Sequence, residues 1–446
     1  MSRTTLTRAL PLLLAGALMV AACPPKLGMP HLGDEDRNDD IVGPPSPGPD
    51  LALDVDILID GTTSMSGYAV AGESVFNRFV EELEAAIRSG SKQSKIAFFK
   101  FGTSIKPIGR DVAILRKAPA FFAEPGIFEQ TRLEDAVANV APTKDRILLT
   151  DLFQNEGDVN KVVAALKEKC FDKNLDVGIL MVKSEFDGMV YDAKVPPYRY
   201  VTKSDRPETH RAFFAIFVGD ADRFVRIYRA LKSTRVASAL DDQAFLVLSR
   251  TAVKGYKVRF ELLKTKDKKI QIAKSSEPNP FDNKVDIALG TGAGVEELIA
   301  RVTVERNLYG PRFNLAKVSL QAIAVAPKTG AKRNDPPEAK PTQDVKLKSL
   351  EAKEDELSAT LAIGSPTETN RKSGKMLYKV LLELPTDLDG FAPPPPFLNQ
   401  SSENPRPGAD PQKTIHLEKF TRDLIRGWAT AQTRYAAKAY IHADRK

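Results

Sequence analysis

The chain is poor in the residues that carry most metal and nucleophilic chemistry. Its four histidines are scattered over 446 residues, and no His-Glu-x-x-His or similar ligand spacing occurs. Its two cysteines, Cys23 and Cys170, lie far apart, so neither a disulfide framework nor a Cys-x-x-Cys redox pair can be built. No Gly-x-Ser-x-Gly nucleophile turn is present. Long apolar runs are equally scarce. Residues 9–22 form one, too short to span a bilayer comfortably, and no second follows. The net charge of +7 is spread along the chain with no basic stripe interleaved with aromatics, which argues against nucleic acid as a partner. The balance of 42% hydrophobic and 28% charged residues is that of ordinary globular domains, and the length allows two or more.

The short apolar run has a context. Arg3 and Arg8 precede it, and it ends in Val20-Ala21-Ala22-Cys23. This resembles a bacterial lipoprotein signal, with Cys23 as the lipidated residue. On that reading residues 1–22 are a signal peptide, and their removal takes the net charge from +7 to +5. The mature protein is then a soluble body tethered to the membrane of the bacterial cell envelope, on its periplasmic or surface face. Residues 23–50 contain Gly43-Pro44-Pro45-Ser46-Pro47-Gly48-Pro49 and cannot bury a core, so a disordered, semi-extended linker is expected. Cys170 remains as a lone thiol at the end of a helical pattern, where packing rather than reactivity is expected.

The rest of the chain is organised around residues 51–68. Val55-Asp56-Ile57-Leu58-Ile59 reads as a buried strand. It stops at Asp60, and small hydroxyl residues follow: Thr62, Thr63, Ser64 and Ser66, between Gly61 and Gly67. A carboxylate and hydroxyls on a tight loop at a strand's end are hard oxygen donors, which suit Mg²⁺, Mn²⁺ or Ca²⁺. Two more segments end similarly. Gln130-Thr131-Arg132 places Thr131 just ahead of a helical pattern, and Ile147-Leu148-Leu149-Thr150 is an apolar strand delivering Asp151.

Asp60-x-Thr62-x-Ser64, followed by Thr131 and then Asp151, resembles the metal-ion-dependent adhesion site of von Willebrand factor A (vWA) domains. The likeness covers residues 51–235. It departs at Thr62, where the family has Ser; the hydroxyl is kept and a methyl crowds the loop. The resemblance implies that Asp60, Thr62, Ser64, Thr131 and Asp151 bind Mg²⁺ (or Mn²⁺/Ca²⁺) with one coordination position open. An Asp or Glu of a protein partner fills that position, and no catalysis is needed.

Apolar strand patterns at 95–101, 147–150, 176–182 and 212–218 alternate with helical ones at 73–89, 133–140, 159–166 and 220–232. That alternation predicts an α/β, doubly wound, largely parallel sheet. The segment 184–210 is too long for a simple connection; short strands at 188–191 and 198–201 are expected to form a hairpin outside the sheet. From about residue 255 the pattern changes to period two, as in Leu357, Ala359, Leu361, Ile363 and in Met376, Tyr378, Val380, Leu382, Leu384. This predicts an antiparallel β-sandwich-like domain over residues 250–446. It would include a Pro-rich insertion at 385–413, a late helix bearing Leu417, Phe420, Leu424, Ile425 and Trp428, and a last strand.

Enzymatic readings find little support. Haloacid-dehalogenase phosphatases need Asp-x-Asp, and Asp60-Gly61-Thr62 does not supply it. The run Gly290-Thr291-Gly292-Ala293-Gly294 lacks the Lys-Ser/Thr ending of a phosphate loop and reads as a turn. The chain is therefore expected not to be an enzyme. Two functions remain: metal-dependent capture of a protein partner at the envelope, or a structural, assembly role in which the metal is incidental or absent.

Overall fold

The computed structural model describes residues 52–445 apart from 71–72, 91–92, 110–117, 139, 142, 153–158, 192–195, 250–252, 263–269, 274–283, 290–295, 307–308, 314–317, 327–337, 354–355, 364–374, 384–390, 403–409 and 432–434. The expectations for the signal peptide, Cys23, the linker and the glycine-rich run at 290–294 fall outside the described residues.

The first half contains β1 (Asp54–Asp60), α1 (Ser66–Val70), α2 (Val75–Gly90), β2 (Lys95–Phe101), β3 (Ile105–Pro107), α3 (Ala118–Phe121), α4 (Leu133–Ala136), β4 (Asp145–Thr150), α5 (Val159–Lys169), β5 (Asp176–Ser184), β6 (Asp187–Val190), β7 (Tyr198–Val201), β8 (Arg211–Gly219), α6 (Ala221–Leu231) and β9 (Phe245–Leu248). Seven strands form one sheet in the order β3-β2-β1-β4-β8-β5-β9. The central β1 is parallel to both β2 and β4.

The sheet is mixed, which corrects the largely parallel expectation. β8 lies between β4 and β5 and is antiparallel to both, β9 is antiparallel to β5, and β3 is antiparallel to β2. The reason is the connection. Among the described residues no crossover helix lies between β5 and β8; the chain re-enters at the edge where it left, and Ser184 pairs with Arg211. Parallel neighbours need a crossover; a returning excursion gives an antiparallel pair. That excursion carries the expected hairpin, β6 against β7, as a separate two-stranded ribbon.

Alternating side chains send the strands' apolar groups to two faces. Val55, Ile57, Ile59, Phe213, Ala215 and Phe217 meet Phe76, Phe79 and Leu83 of α2 and Phe224, Ile227 and Tyr228 of α6. Leu58, Leu148, Phe214, Ile216 and Val218 meet the other layer. Asp220 starts α6, its carboxylate accepting from Asp222 N and Arg223 N.

The second half contains β10 (Val253–Leu262), β11 (Ile270–Ala273), β12 (Lys284–Leu289), β13 (Glu296–Arg306), β14 (Arg312–Phe313), β15 (Ser319–Ala326), β16 (Glu338–Pro341), β17 (Val345–Lys353), β18 (Glu356–Ile363), β19 (Lys375–Glu383), β20 (Phe391–Ala392), α7 (Pro395–Asn399), β21 (Ser401–Ser402), β22 (Thr414–Ile415), α8 (Leu417–Ala431) and β23 (Tyr435–Arg445). A four-stranded sheet, β10-β13-β18-β17, and a six-stranded sheet, β11-β12-β23-β19-β15-β16, account for the period-two pattern. Every pairing in them is antiparallel except β12 with β23. The sheets approach each other where β10 and β13 come near β23, and β15 comes near β17. Ala359, Leu361 and Ile363 of β18 are buried, as are Tyr378, Val380 and Leu382 of β19.

The late helix is not where it was expected. α8 leaves the β-rich sheets and covers the second face of the first sheet, where Leu417, Phe420, Leu424, Ile425 and Trp428 join Leu133, Leu166, Phe214 and Ile216 in one core. Trp428 Nε1 donates to Ser249 O at 2.6 Å and Lys419 Nζ to Asn160 Oδ1 at 2.7 Å. The physical reason is an unfilled face. α4 is four residues long, a single turn that cannot cover the strands beside α5, and among the described residues of 51–235 no other helix takes the place. The Pro-rich insertion also folds inward, with Phe391 and Phe397 buried in that same core.

Candidate metal centre at the carboxyl edge of the sheet

β1, β2, β4 and β5 end at one edge, and the candidate site is built there from three of their loops. Asp60 is the last residue of β1 and is fully buried. Gly61 follows against Lys100 of β2; a Cβ at this position would lie 2.6 Å from Lys100 Cγ, so only glycine fits. Gly61 N donates to Phe101 O at 2.7 Å, which turns the chain away from the sheet. Thr62 then begins a single 3-10 turn, residues 63–65, leading directly into α1.

Hydroxyls surround the Asp60 carboxylate. Its Oδ1 accepts from Thr62 N at 3.0 Å and Thr62 Oγ1 at 2.7 Å. Its Oδ2 accepts from Thr150 Oγ1 at 2.8 Å and, more distantly, Thr131 Oγ1 at 3.4 Å. Thr62 Oγ1 lies 3.2 Å from Ser64 Oγ and 3.1 Å from Thr131 Oγ1. Thr62, Ser64 and Thr131 are all buried. The structure thus brings Asp60, Thr62, Ser64 and Thr131 into one hydrogen-bonded cluster. Asp151, one residue beyond β4 and half-buried, reaches the cluster through charge. Burial first, and Asp151 second, push the Asp60 pKa from 3.8 up to about 7, against the lowering effect of the Thr62 and Thr150 hydrogen bonds.

Thr150 was not among the residues singled out in the sequence. It occupies the last position of β4, and its hydroxyl both donates to Asp60 and accepts from Leu152 N at 3.2 Å. The signal was legible: a hydroxyl residue directly before the strand-ending Asp151. Lys100 and Glu124 also went unnoticed. The Lys100 ammonium, almost wholly buried, sits 2.7 Å from Glu124 Oε2 and 4.3 Å from the Phe121 ring centre. Glu124 Oε1 takes Lys106 Nζ at 2.9 Å. Glu124 opens the loop that carries Thr131, a loop also held by Thr103 N donating to Ile127 O at 2.9 Å. A buried lysine is costly without a partner, so this ion pair fixes where Thr131 stands.

The donor chemistry fits a hard divalent cation. The Asp60 carboxylate feels the charge of Asp151, and the neutral hydroxyl oxygens around Asp60 are ligands that such ions accept. Among the described residues no group of three or more His, Cys, Asp or Glu side chains gathers, so an ion here would depend on the two Asp residues and the hydroxyls. Cys170 offers nothing to it. The thiol is fully buried in the second core layer, and burial pushes its pKa up to about 12, which makes it inert.

Among the described residues no helix is long and apolar enough to cross a membrane. Comparison of the chain with family models, with curated proteins and with solved structures finds no match.

Proposed function

We propose that this is a lipid-anchored protein of the bacterial cell envelope that captures a protein partner through a divalent-metal site on a vWA-like domain, without catalysing a reaction. The observation that carries the reading is the buried Asp60 carboxylate, within the charge influence of Asp151, bonded by the hydroxyls of Thr62, Thr131 and Thr150, with Ser64 beside Thr62. Mg²⁺ (or Mn²⁺/Ca²⁺) bound there would neutralise the like charges and offer a Lewis-acidic position to an anionic ligand. Asp60 and Asp151 supply the charge. Thr62, Ser64 and Thr131 supply neutral oxygens, which leaves the ion electrophilic towards a carboxylate of the partner.

A second reading has one observation in its favour. Thr62 and Thr150 already donate to Asp60 at 2.7 and 2.8 Å, so the carboxylate is satisfied by the protein itself. In that case the domain is a docking piece of an envelope scaffold and the metal is incidental. Titration calorimetry of the chain with Mg²⁺ and Mn²⁺ separates the two. Binding heat in wild type that disappears in Asp60→Ala supports the metal site. No heat up to millimolar metal, with partner capture insensitive to chelator, leaves the scaffold.

A further inference from the structure

We propose that a cavity beside the free end of β5 binds a small organic acid, one carboxylate on an apolar body. Lys183 meets the carboxylate, and Val75, Met181 and Ala244 receive the body. No residue of the Asp60 cluster lines this cavity, and the proposal does not depend on the metal-site reading.

The cavity arises where the sheet's last strand stops short. β9 pairs with β5 only from Val177 to Leu180, with Phe245 opposite Leu180. β5 runs on to Ser184, paired there, among the described residues, with β8 alone. An antiparallel continuation of β9 would set Ala244 against Met181. Instead Asp242–Ala244 form a 3-10 turn, which Asp241 caps by accepting from Gln243 N at 2.9 Å. The chain thereby swings off β5, and α7 lies against that turn. The gap left is a cavity of about 500 Å³, within the size range of small-molecule sites.

Its lining divides by exposure. The inner part is closed: Val75, Met181, His210, Ala244 and Gln400 are all buried. Met181 and Lys183 stand two apart on β5, so their side chains leave the same face of the sheet. Met181 lies in the floor, and Lys183 is exposed at the mouth. Two polar features there lack a partner. Nε2 of His210 is buried and has no hydrogen-bond partner among the described residues, a cost that a ligand oxygen relieves. Carrying the proton, this nitrogen donates to a carboxylate. Along β5, every second residue beyond Leu180 turns its N–H and C=O away from β8, to the side that β9 no longer covers. A purely apolar occupant would leave these groups unsatisfied.

The charges set the charge of the ligand. Among the described residues no ion pair engages Lys183. The nearby carboxylates are occupied with the backbone: Asp241 with Gln243 N, and Glu185 with Val75 N at 2.8 Å. Both keep their negative charge, which tells against a second one on the ligand. Lys203 and Arg206, exposed on the loop before His210, are matched by Asp205 and Glu208 on that same loop, so the loop gives no net attraction for a polyanion. One unpaired lysine beside an apolar floor thus suits a monocarboxylate rather than a phosphate ester.

The test uses the full mature chain dialysed against chelator, so that no cation at Asp60 can take the acid. Calorimetry and thermal melts are run with 3-phenylpropionate and octanoate, which share the carboxylate and differ in body, and with 3-phenylpropionamide and inorganic phosphate. At least one acid should bind with a dissociation constant of about a millimolar or lower and raise the melting temperature. The amide should bind about tenfold more weakly, and phosphate should not bind. Lys183→Met, at an exposed position, should melt as wild type and lose about tenfold in affinity for the acid. Ser238→Trp, at the exposed rim, should block the acid with the melt unchanged, and Asp60→Asn should bind it as wild type does. No saturable binding of either acid, equal affinity for acid and amide, tighter binding of phosphate, unchanged affinity in Lys183→Met or in Ser238→Trp, or loss of binding in folded Asp60→Asn would each overturn the proposal.

Discussion

Replacing Asp60 by asparagine keeps the shape of the central side chain and removes its charge, and the structure sets both the sign and the pH window of the effect. In the unfolded chain this carboxyl ionises near its ordinary value of 3.8, whereas burial and Asp151 raise it to about 7 in the fold. Between those values the folded chain holds a proton that the unfolded chain has released. Stability contributed by this group is therefore full below the unfolded value and is lost as pH rises through the folded one. A shift of about three units corresponds to about 4 kcal/mol once both states are ionised. Asp60→Asn removes that loss. The raised value already includes the Thr62 and Thr150 hydrogen bonds to the anion; the variant's amide nitrogen cannot accept from either hydroxyl at any pH, which costs about 1–2 kcal/mol throughout. In chelator near pH 8 the variant should be more stable than wild type by about 2–3 kcal/mol, and near pH 4 the order should reverse, with the variant about 1–2 kcal/mol less stable. Asp145 gives a trend of the same sign, since burial raises it to about 7 beside Arg223. It starts β4 at the opposite edge of the sheet, is present in both proteins, and cancels in the difference. Mg²⁺ at about a hundred times its dissociation constant should add about 2.7 kcal/mol to wild type and nothing to the variant. Urea denaturation across this pH range, with chelator and with Mg²⁺, measures all of it. Parallel stability curves in chelator would refute the buried-carboxylate argument, whatever Mg²⁺ then does.

Three further outcomes are expected. Glu124→Ala, which strands the buried Lys100 ammonium, should cost about 2 kcal/mol, while Lys100→Met, which removes the charge and keeps the stem over Gly61, should stay within about 1 kcal/mol of wild type; equal losses in denaturant melts would show that the pair does not act as drawn. Trp428→Ala should destabilise the first sheet by about 3–5 kcal/mol, and residues 52–250 expressed alone should expose an apolar face and aggregate; a monomeric, cooperatively melting fragment would contradict the role of α8. Cys23→Ser should abolish acyl labelling and move the protein from the membrane pellet to the soluble fraction, and a variant that still pellets would remove the anchor from the proposal.

Most of the α/β layer was legible because its signals are local. The strand ending at Asp60, the amphipathic pattern of α2 and the Asp220 cap of α6 each depend on residues within a turn or two. The hydroxyl cluster was legible for the same reason: each donor stands at the end of an apolar strand or the start of a helix, where a loop must turn at the sheet's edge. What was not legible depends on pairing between distant segments. The direction of β8 follows from a connection without a helix, visible only once that absence is weighed against the sheet's handed crossovers. Thr150 was passed over because Asp151 beside it has the stronger chemistry, yet it is the Thr150 hydroxyl that bonds Oδ2 of Asp60. α8 was the furthest from reach. Its stripe of Leu417, Phe420, Leu424, Ile425 and Trp428 states that a face must be covered but not which one. The answer lay in a deficit about 280 residues earlier in the chain, where the one-turn α4 leaves Leu148 and Phe214 without a partner of sufficient length. An amphipathic helix is thus assigned to its neighbour by what the rest of the chain fails to bury, and here that ties the carboxyl-terminal part of the chain to the stability of the sheet that carries Asp60.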